Sequence, residues 1–436
     1  MEEEIFIERF SKKGWGIGKI ASGKSVEVPH SVIGDTLAVA LSGRRKKGRI
    51  QEVLTPSSDR IKPPCEHATI CGGCIWQQMD YSAQLRYKQG WIQELFGEIP
   101  SVEIYPIEGA SPPFLYRNKM EFSFGQNAGG QKYLGLMIAG ASNYVFDVKR
   151  CHLVQPWFSQ VLARVRAWFF QGEETAFTPR NLGGNLRTLT LREGIKTGDR
   201  LLLLTVNGPI QEEAFLEATQ DLCPNIVLRT QRSVKNQPTT FSEKVLLGKG
   251  HLWEEMEVEG KRFRFKVSPT AFFQPNTKQA EKLYAIALSY IDPGEFVCDL
   301  YSGTGTIACM AASKAKRVFA IEKNPDAVKD ALENFTTNGI DHVDIYSEEV
   351  GDRAHKLPRV DTVIIDPPRA GLDPKALSFL ESLSPKKILY ISCNPSTQKE
   401  NVLQLIQNGY ILKKLHPIDQ FPHTYHLETV AYLEKK

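Results

Sequence analysis

The chain has 436 residues, 42% of them hydrophobic and 24% charged, with a net charge of +4 and eight cysteines. That length allows two or three domains with sizeable cores. It carries no uncharged apolar run near the ~18 residues of a membrane span, and eight cysteines in so long a chain do not make a disulfide scaffold.

The start, MEEEIFIERF, is acidic and has no apolar signal-peptide core, so a cytoplasmic location is expected. Residues 1–60 hold short alternating runs (EIFIERF, GIGKI, SVEVPHSV, DTLAVALSG, GRIQEVL) separated by glycines and a proline, the pattern of a small β-barrel. Residues 1–63 carry 12 Lys and Arg against 8 Asp and Glu, which accounts for the whole excess of charge, and GRRKKGR (43–49) supplies five of those cations. Such a run is usually a solvated loop, and a basic N-terminal module is also what a nucleic-acid binder would show.

SSDRIKPPC then reads as a stiff linker into a cysteine- and glycine-rich stretch, and residues 81–98 read as an amphipathic helix. From about 101 to 265 the pattern is mixed. RTLTLREG and RLLLLTVNG are strand-like and FSQVLARVRAWFF is helix-like, which indicates an α+β domain. From 266 the rhythm becomes strand–helix–strand through FVCDLY, RVFAIE, VDIYS, DTVIID, KILYIS, YILKKLHPI and HLETVAYLE, the signature of a doubly wound, Rossmann-like α/β sheet. The expected organisation is therefore multidomain α/β: a barrel at 1–60, a central α+β domain at 61–265 and a doubly wound domain at 266–436.

CEHATICGGC places Cys65, Cys71 and Cys74 at C-x5-C-x2-C spacing, and Cys151 in VKRCHLVQP is a plausible fourth ligand. From ligand type alone, zinc and an iron–sulfur cluster both fit. Cys223, Cys298 and Cys309 lie in apolar stretches and read as core.

VCDLYSGTGTIA (297–308) is a strand, a glycine turn and a helix start, where backbone N–H groups meet a ligand closely. Gly303, Gly305 and Ala308 also fit a dinucleotide fingerprint, and Glu322 at the end of the next strand is placed to accept ribose hydroxyls, so NAD and S-adenosylmethionine are tied at this point. VIIDPPRAG (363–371) separates them: Asp-Pro-Pro makes a rigid loop at the strand end, similar to those of methyltransferases acting on nucleobases. In amino-methylating enzymes an aromatic residue follows to stack the base; here it is Arg369.

YISCNP (390–395) ends an apolar strand on a cysteine, and Asn-Pro starts a polar helix. A buried cysteine is ordinarily a packed small hydrophobe. Methylation at C5 of uracil, however, needs a thiolate to attack C6 and a base to remove the C5 proton. Cys393 supplies the first group. Glu428 in FPHTYHLETV supplies the second, in an apolar context that raises its pKa. RNA cytosine C5 methylation would call for a second working cysteine, and no other lies in this neighbourhood.

Read in order, YRNKMEFSFG, SPTAFFQPN, DLYSGTGTIA, IEKNPDAV, IIDPPRAGL, SCNPST and HLETVAYL resemble the successive motifs of the RNA uracil-C5 methyltransferase family, in particular its 23S ribosomal RNA branch. The resemblance covers nearly the whole chain. It implies Cys393 as nucleophile and Glu428 as general base, with Gln274, Tyr301, Glu322 and Asp366 around S-adenosylmethionine. By position Thr306 and Glu349 join them, although family members often carry Asn at the Thr306 position. Phe272 falls where the family stacks the flipped-out uracil. The resemblance also implies a [4Fe–4S] cluster on Cys65, Cys71, Cys74 and Cys151, and an RNA-binding TRAM domain at residues 1–60. A monomer acting on 23S ribosomal RNA is expected. The alternatives are the T-loop uridine of transfer RNA, or a non-catalytic RNA-binding factor.

Overall fold

The computed structural model describes residues 2–42, 47–141, 144–180, 182–234, 238–352 and 357–436. Residues 43–46 of the basic run therefore lie outside the described residues. Five strands, β1 (Glu2–Phe10), β2 (Gly16–Lys19), β3 (Ser25–Val28), β4 (Thr36–Ser42) and β5 (Lys47–Thr55), close into a barrel in the order β1-β2-β3-β5-β4. Alternation does what the sequence dictates: Ile5, Ile7, Val26, Val28, Leu37 and Val39 fill the barrel, while Phe6 points out. The proline-containing stretch that follows is anchored rather than free. Arg60 grips the buried Asp35 with two bonds of 2.9 and 2.7 Å.

Helix α1 (Tyr81–Phe96) is capped by Asp80, whose carboxylate accepts the Ser82 N–H. Its buried stripe, Gln84, Lys88, Ile92 and Phe96 at four-residue spacing, contains two polar side chains. Next come β6 (Glu103–Ile104), β7 (Lys119–Gln126), β8 (Lys132–Met137), β9 (Val145–Asp147), α2 (Pro156–Gln171), β10 (Leu186–Glu193), β11 (Arg200–Val206), α3 (Glu212–Thr219), β12 (Asn225–Arg232) and β13 (Thr240–Leu247). Seven of these strands form a sheet in the order β13-β12-β11-β10-β7-β8-β9. One face carries α2 and α3 over Phe122, Leu189, Leu204 and Ile226. On the other face Leu201, Leu203 and Val227 share a core with the C-terminal part of the chain.

That part begins with the hairpin β14 (Leu252–Val258) and β15 (Lys261–Val267). It continues through α4 (Thr277–Leu288), β16 (Phe296–Leu300), α5 (Thr306–Ala311), β17 (Arg317–Glu322), α6 (Pro325–Thr337), β18 (Val343–Ser347), β19 (Thr362–Ile365), α7 (Pro374–Leu383), β20 (Lys387–Ser392), α8 (Pro395–Gln407), β21 (Tyr410–Ile418) and β22 (Glu428–Lys435). Its sheet runs β18-β17-β16-β19-β20-β22-β21-β6. Strand β22 is antiparallel to both neighbours, β20 and β21. Two residues from far upstream, Glu103 and Ile104, close the edge by pairing with Lys414 and Leu415. The order reverses between β16 and β19, and the strand ends there open a crevice. Pro325, Pro374 and Pro395 each begin a helix directly after a strand or loop, as a residue with fixed φ and no N–H should. Among the described residues no helix is long and apolar enough to cross a membrane.

Candidate active site

A cavity of about 610 Å³ lies at the carboxyl ends of β16, β17, β19 and β20. It is lined by every residue expected around the cofactor: Gln274, Tyr301, Thr306, Glu322, Glu349 and Asp366. Phe272, Cys393 and Glu428 line it too. These nine residues span 157 positions of sequence, and the doubly wound topology gathers them because strand ends converge at the reversal point.

The floor is the turn after β16. Tyr301 has φ of 63° and Gly305 φ of 76°. A Cβ on Gly305 would sit 2.7 Å from the Phe335 ring and 2.9 Å from Ala331, so only glycine lets α5 start against α6. A tyrosine in the left-handed region is uncommon, and such strain persists where the surroundings enforce it. Glu322 braces the turn: its two carboxylate oxygens accept the Gly303 N–H at 3.0 Å and the Asn324 N–H at 2.7 Å.

The roof is the 268–275 loop. Arg192, buried in β10, donates to the Ser268 and Ala271 carbonyls at 2.6 Å each. Held this way, Phe272 projects with 70% of its surface exposed, a large cost for an aromatic ring with nothing to cover it. Asn118 fixes the Gln274 carbonyl at 2.8 Å, and Gln420 meets the Gln274 side chain at 3.2 Å.

The reactive groups sit on the last two strands. Cys393 occupies the junction between β20 and α8, where Asn394 starts the helix turn. Burial pushes its thiol up to about 11; the charge of Glu428 adds to this, and Arg369 opposes it. Arg369 is itself fixed through its carbonyl, which accepts from Asn394 Nδ2 at 3.1 Å. Glu428 is the first residue of β22 and is 3% exposed. Its Oε2 has no hydrogen-bond partner among the described residues. Burial first, then Asp366, holds its carboxyl well above the usual carboxylate range, with Arg369 opposing. A buried, unpartnered acid facing a cavity next to a thiol is what proton transfer to or from a ligand requires.

Two further residues belong to this constellation. Asp299, at the end of β16, is fully buried and accepts the Ser302 hydroxyl at 2.6 Å, while its Oδ1 is unpartnered among the described residues. Burial pushes its carboxyl up to about 7. Its signal is legible in VCDLYSGTG, where an acid precedes the glycine turn. Arg117 also lines the cavity; it stands in YRNKMEFSFG, one of the motifs of the family resemblance, without being among the expected site residues. Glu428, Asp366, the backbone turn and Glu322, all lining the cavity, suit an S-adenosylmethionine-sized ligand with a cationic centre and a ribose.

Cys65, Cys71, Cys74 and Cys151 are free and partly exposed; burial first, and then the neighbouring thiols, push Cys71, Cys74 and Cys151 up, while burial and Glu66 do so for Cys65. They are neighbours, as their spacing suggests. Among the described residues, however, no group of three or more His, Cys, Asp or Glu side chains is drawn into a metal-holding arrangement, so the expected four-cysteine site is not formed as a ligand cage. An all-thiol donor set without a carboxylate or imidazole is the chemistry of zinc–sulfur or iron–sulfur ligation. Cys223, Cys298 and Cys309 are buried.

A family model described as tRNA (uracil-5-)-methyltransferase matches residues 211–436. An uncharacterized RNA methyltransferase of Protochlamydia amoebophila is 39% identical over 440 residues, covering 94% of this chain and 99% of the relative. One of Caldanaerobacter subterraneus is 32% identical over 446 residues, covering 99% and 98%. Among solved structures, the tRNA (uracil-54, C5)-methyltransferase of Pyrococcus abyssi, in complex with S-adenosyl-L-homocysteine, superposes with a TM-score of 0.78 at 25% identity, over 99% of both chains.

Proposed function

Because the chain belongs to the tRNA (uracil-5-)-methyltransferase family and is an RNA methyltransferase, we propose that it methylates C5 of a uridine in 23S ribosomal RNA through a covalent adduct between Cys393 and C6. The observation that carries this reading is that Cys393 and Glu428 face one cavity with the glycine turn and the exposed Phe272.

The chain's residues divide the work. The turn at 302–305, Tyr301, Thr306, Glu322, Glu349, Asp366 and Gln274 would hold S-adenosylmethionine. That cofactor supplies a methyl group on a sulfonium. Phe272 stacks the extruded base. Cys393 Sγ adds to C6, and the C5=C6 electrons shift toward C5, which takes the methyl group. Glu428 then removes the C5 proton. The C–H electron pair re-forms C5=C6, and the thiolate leaves. Arg369 stabilises the thiolate at both ends of this cycle. Burial and the neighbouring Asp366 raise the proton affinity of Glu428 in this cavity. A cation bound beside Asp366 and Glu428 favours the ionised carboxylates, so cofactor binding readies the base.

The same reading assigns residues 1–60 to an RNA-gripping TRAM barrel, 61–265 to a central domain holding a [4Fe–4S] cluster through Cys65, Cys71, Cys74 and Cys151, and 266–436 to catalysis by a cytoplasmic monomer. Four neighbouring thiols support the cluster. Uridine in the T-loop of transfer RNA is the second reading, favoured by the full-length likeness to a tRNA (uracil-54, C5)-methyltransferase. Mass-spectrometric mapping of 5-methyluridine in RNA from cells with and without this protein decides between them. Loss of a 23S site supports the proposal. Loss of a transfer RNA site replaces the substrate, and an unchanged RNA pool rejects the chemistry.

A further inference from the structure

The base Glu428 stands at the foot of a long connection. Strand β21 ends at Ile418, β22 begins at Glu428, and these two residues pair. The chain between them, 419–427, is a strap that brings Phe421 to the cavity wall. Loops of this kind are ordinarily the mobile part of a fold. This one is over-determined by segments from the N-terminal quarter of the chain.

His423 is the centre of that attachment. Its backbone has φ of 67°, a conformation uncommon outside glycine. Its N–H donates to Gln84 Oε1 at 2.8 Å, and Gln84 Nε2 meets its Nδ1 at 3.2 Å. Its carbonyl accepts the Trp76 N–H at 3.0 Å. Its ring stacks on Phe114 with centroids 4.2 Å apart. Gln84, fully buried on α1, also donates to the carbonyls of Trp76 and Met79 at 3.1 and 2.9 Å. One amide thus ties the loop after Cys74, helix α1 and the strap into a unit. A single buried amide with both ends satisfied across three segments fixes relative position, because any shift leaves a buried polar group unpaired.

We propose that Gln84 and His423 are positioning residues for the catalytic base: their clasp sets the strap, and the strap sets how the Glu428 carboxyl meets the C5 proton. The proposal rests on the uracil-C5 reading. Cys393 follows the end of the neighbouring strand β20, whose Ser392 pairs with Thr429 of β22, whereas the clasp holds the strap on the other side of Glu428; the clasp therefore acts on proton removal more than on thiolate attack.

The test separates those two steps in the full-length protein, with methyl-labelled S-adenosylmethionine and ribosomal RNA from cells lacking the protein. His423→Gly keeps the positive φ but removes the ring and its contacts. His423→Asn tolerates the same φ and offers an amide to Gln84. Gln84→Leu breaks the clasp from the other side. In His423→Gly, formation of the denaturant-resistant adduct should stay near the unsubstituted rate while its resolution slows about tenfold or more, since a displacement of about 1 Å can cost roughly 100-fold. Gln84→Leu should show the same split, and His423→Asn should restore resolution. A merely structural role would slow both steps together or neither, and Asn would rescue nothing; either result overturns the proposal. If the unsubstituted protein forms no adduct and transfers no methyl group to any RNA, the uracil-C5 reading itself has failed.

Discussion

The Glu428 carboxyl raises the proton affinity of the Cys393 thiol across the cavity they share. In the proposed reaction the two residues act on opposite ends, so their substitutions should part company. Cys393→Ala should abolish methylation and any covalent complex while RNA and cofactor still bind. Glu428→Gln retains attack and methyl transfer but stalls at loss of the C5 proton, so it should accumulate a methylated protein–RNA adduct. A denaturing gel with labelled RNA and cofactor reads both. An adduct in Cys393→Ala, or full turnover by Glu428→Gln, would mean the roles are misassigned.

The thiol itself sets a pH dependence. The reactive form is the thiolate, and the Cys393 thiol is pushed up to about 11 by burial and Glu428. Only about one molecule in 10,000 then carries thiolate at pH 7. The rate of adduct formation should rise about tenfold per pH unit from neutrality into the alkaline range, with no plateau near the ~8.5 of an ordinary cysteine. Arg369 opposes the shift, so Arg369→Met should lower the rate at every pH below the thiol's pKa and move the profile further up. Stopped single-turnover reactions from pH 6.5 to 9.5 measure it; a plateau below pH 8 would show that the cavity activates the thiol by another route.

The catalytic end of this molecule is legible because chemistry follows strands there. Tyr390–Ser392 ends an apolar run, Asn394-Pro395 can only turn into a helix, and the residue between is delivered to the sheet edge. The glycine turn and Glu322 are readable for the same reason. The supports are not readable. Lys88 donates to Asp419 at 2.7 Å with both side chains fully buried, and Gln84 meets His423, yet each pair lies more than 300 residues apart. On the helix face alone, Gln84 and Lys88 look like lapses in an apolar stripe. The edge strand Glu103–Ile104 is too short to show a period. Arg117 falls within YRNKMEFSFG, yet its place beside both the cavity and the thiols is not readable there because those surroundings are assembled from distant chain.

The four thiols carry a prediction of their own. Protein purified without oxygen should be brown and contain iron and acid-labile sulfide, and Cys71→Ser should lose both. RNA affinity or solubility should fall before cofactor affinity does, because these cysteines lie outside the sheet that builds the cavity. Metal analysis and titration with S-adenosylhomocysteine measure the two effects. Colourless protein with one zinc per chain would assign the site to zinc.

The barrel's part in RNA binding is best tested by charge and not by deletion. Trp76 Nε1 donates to the Gly14 carbonyl at 2.7 Å, and a Cβ on Gly14 would lie 2.6 Å from that of Tyr425. Removing residues 1–60 would therefore strip support from the cysteine loop and the strap as well as cations from the surface. Lys12, Lys19 and Lys24 are exposed on the barrel and can be replaced without touching those contacts. For each phosphate that the alanine variants no longer neutralise, the slope of log affinity against log salt should fall by about 0.7–0.9. Affinity for S-adenosylhomocysteine should not change, since its cavity is built from the C-terminal sheet. Filter binding of RNA between low and physiological salt gives the slope directly. An unaltered slope in the triple variant would show these lysines to be a solvated face and shift the RNA contact to the cavity rim around Phe272 and Arg117.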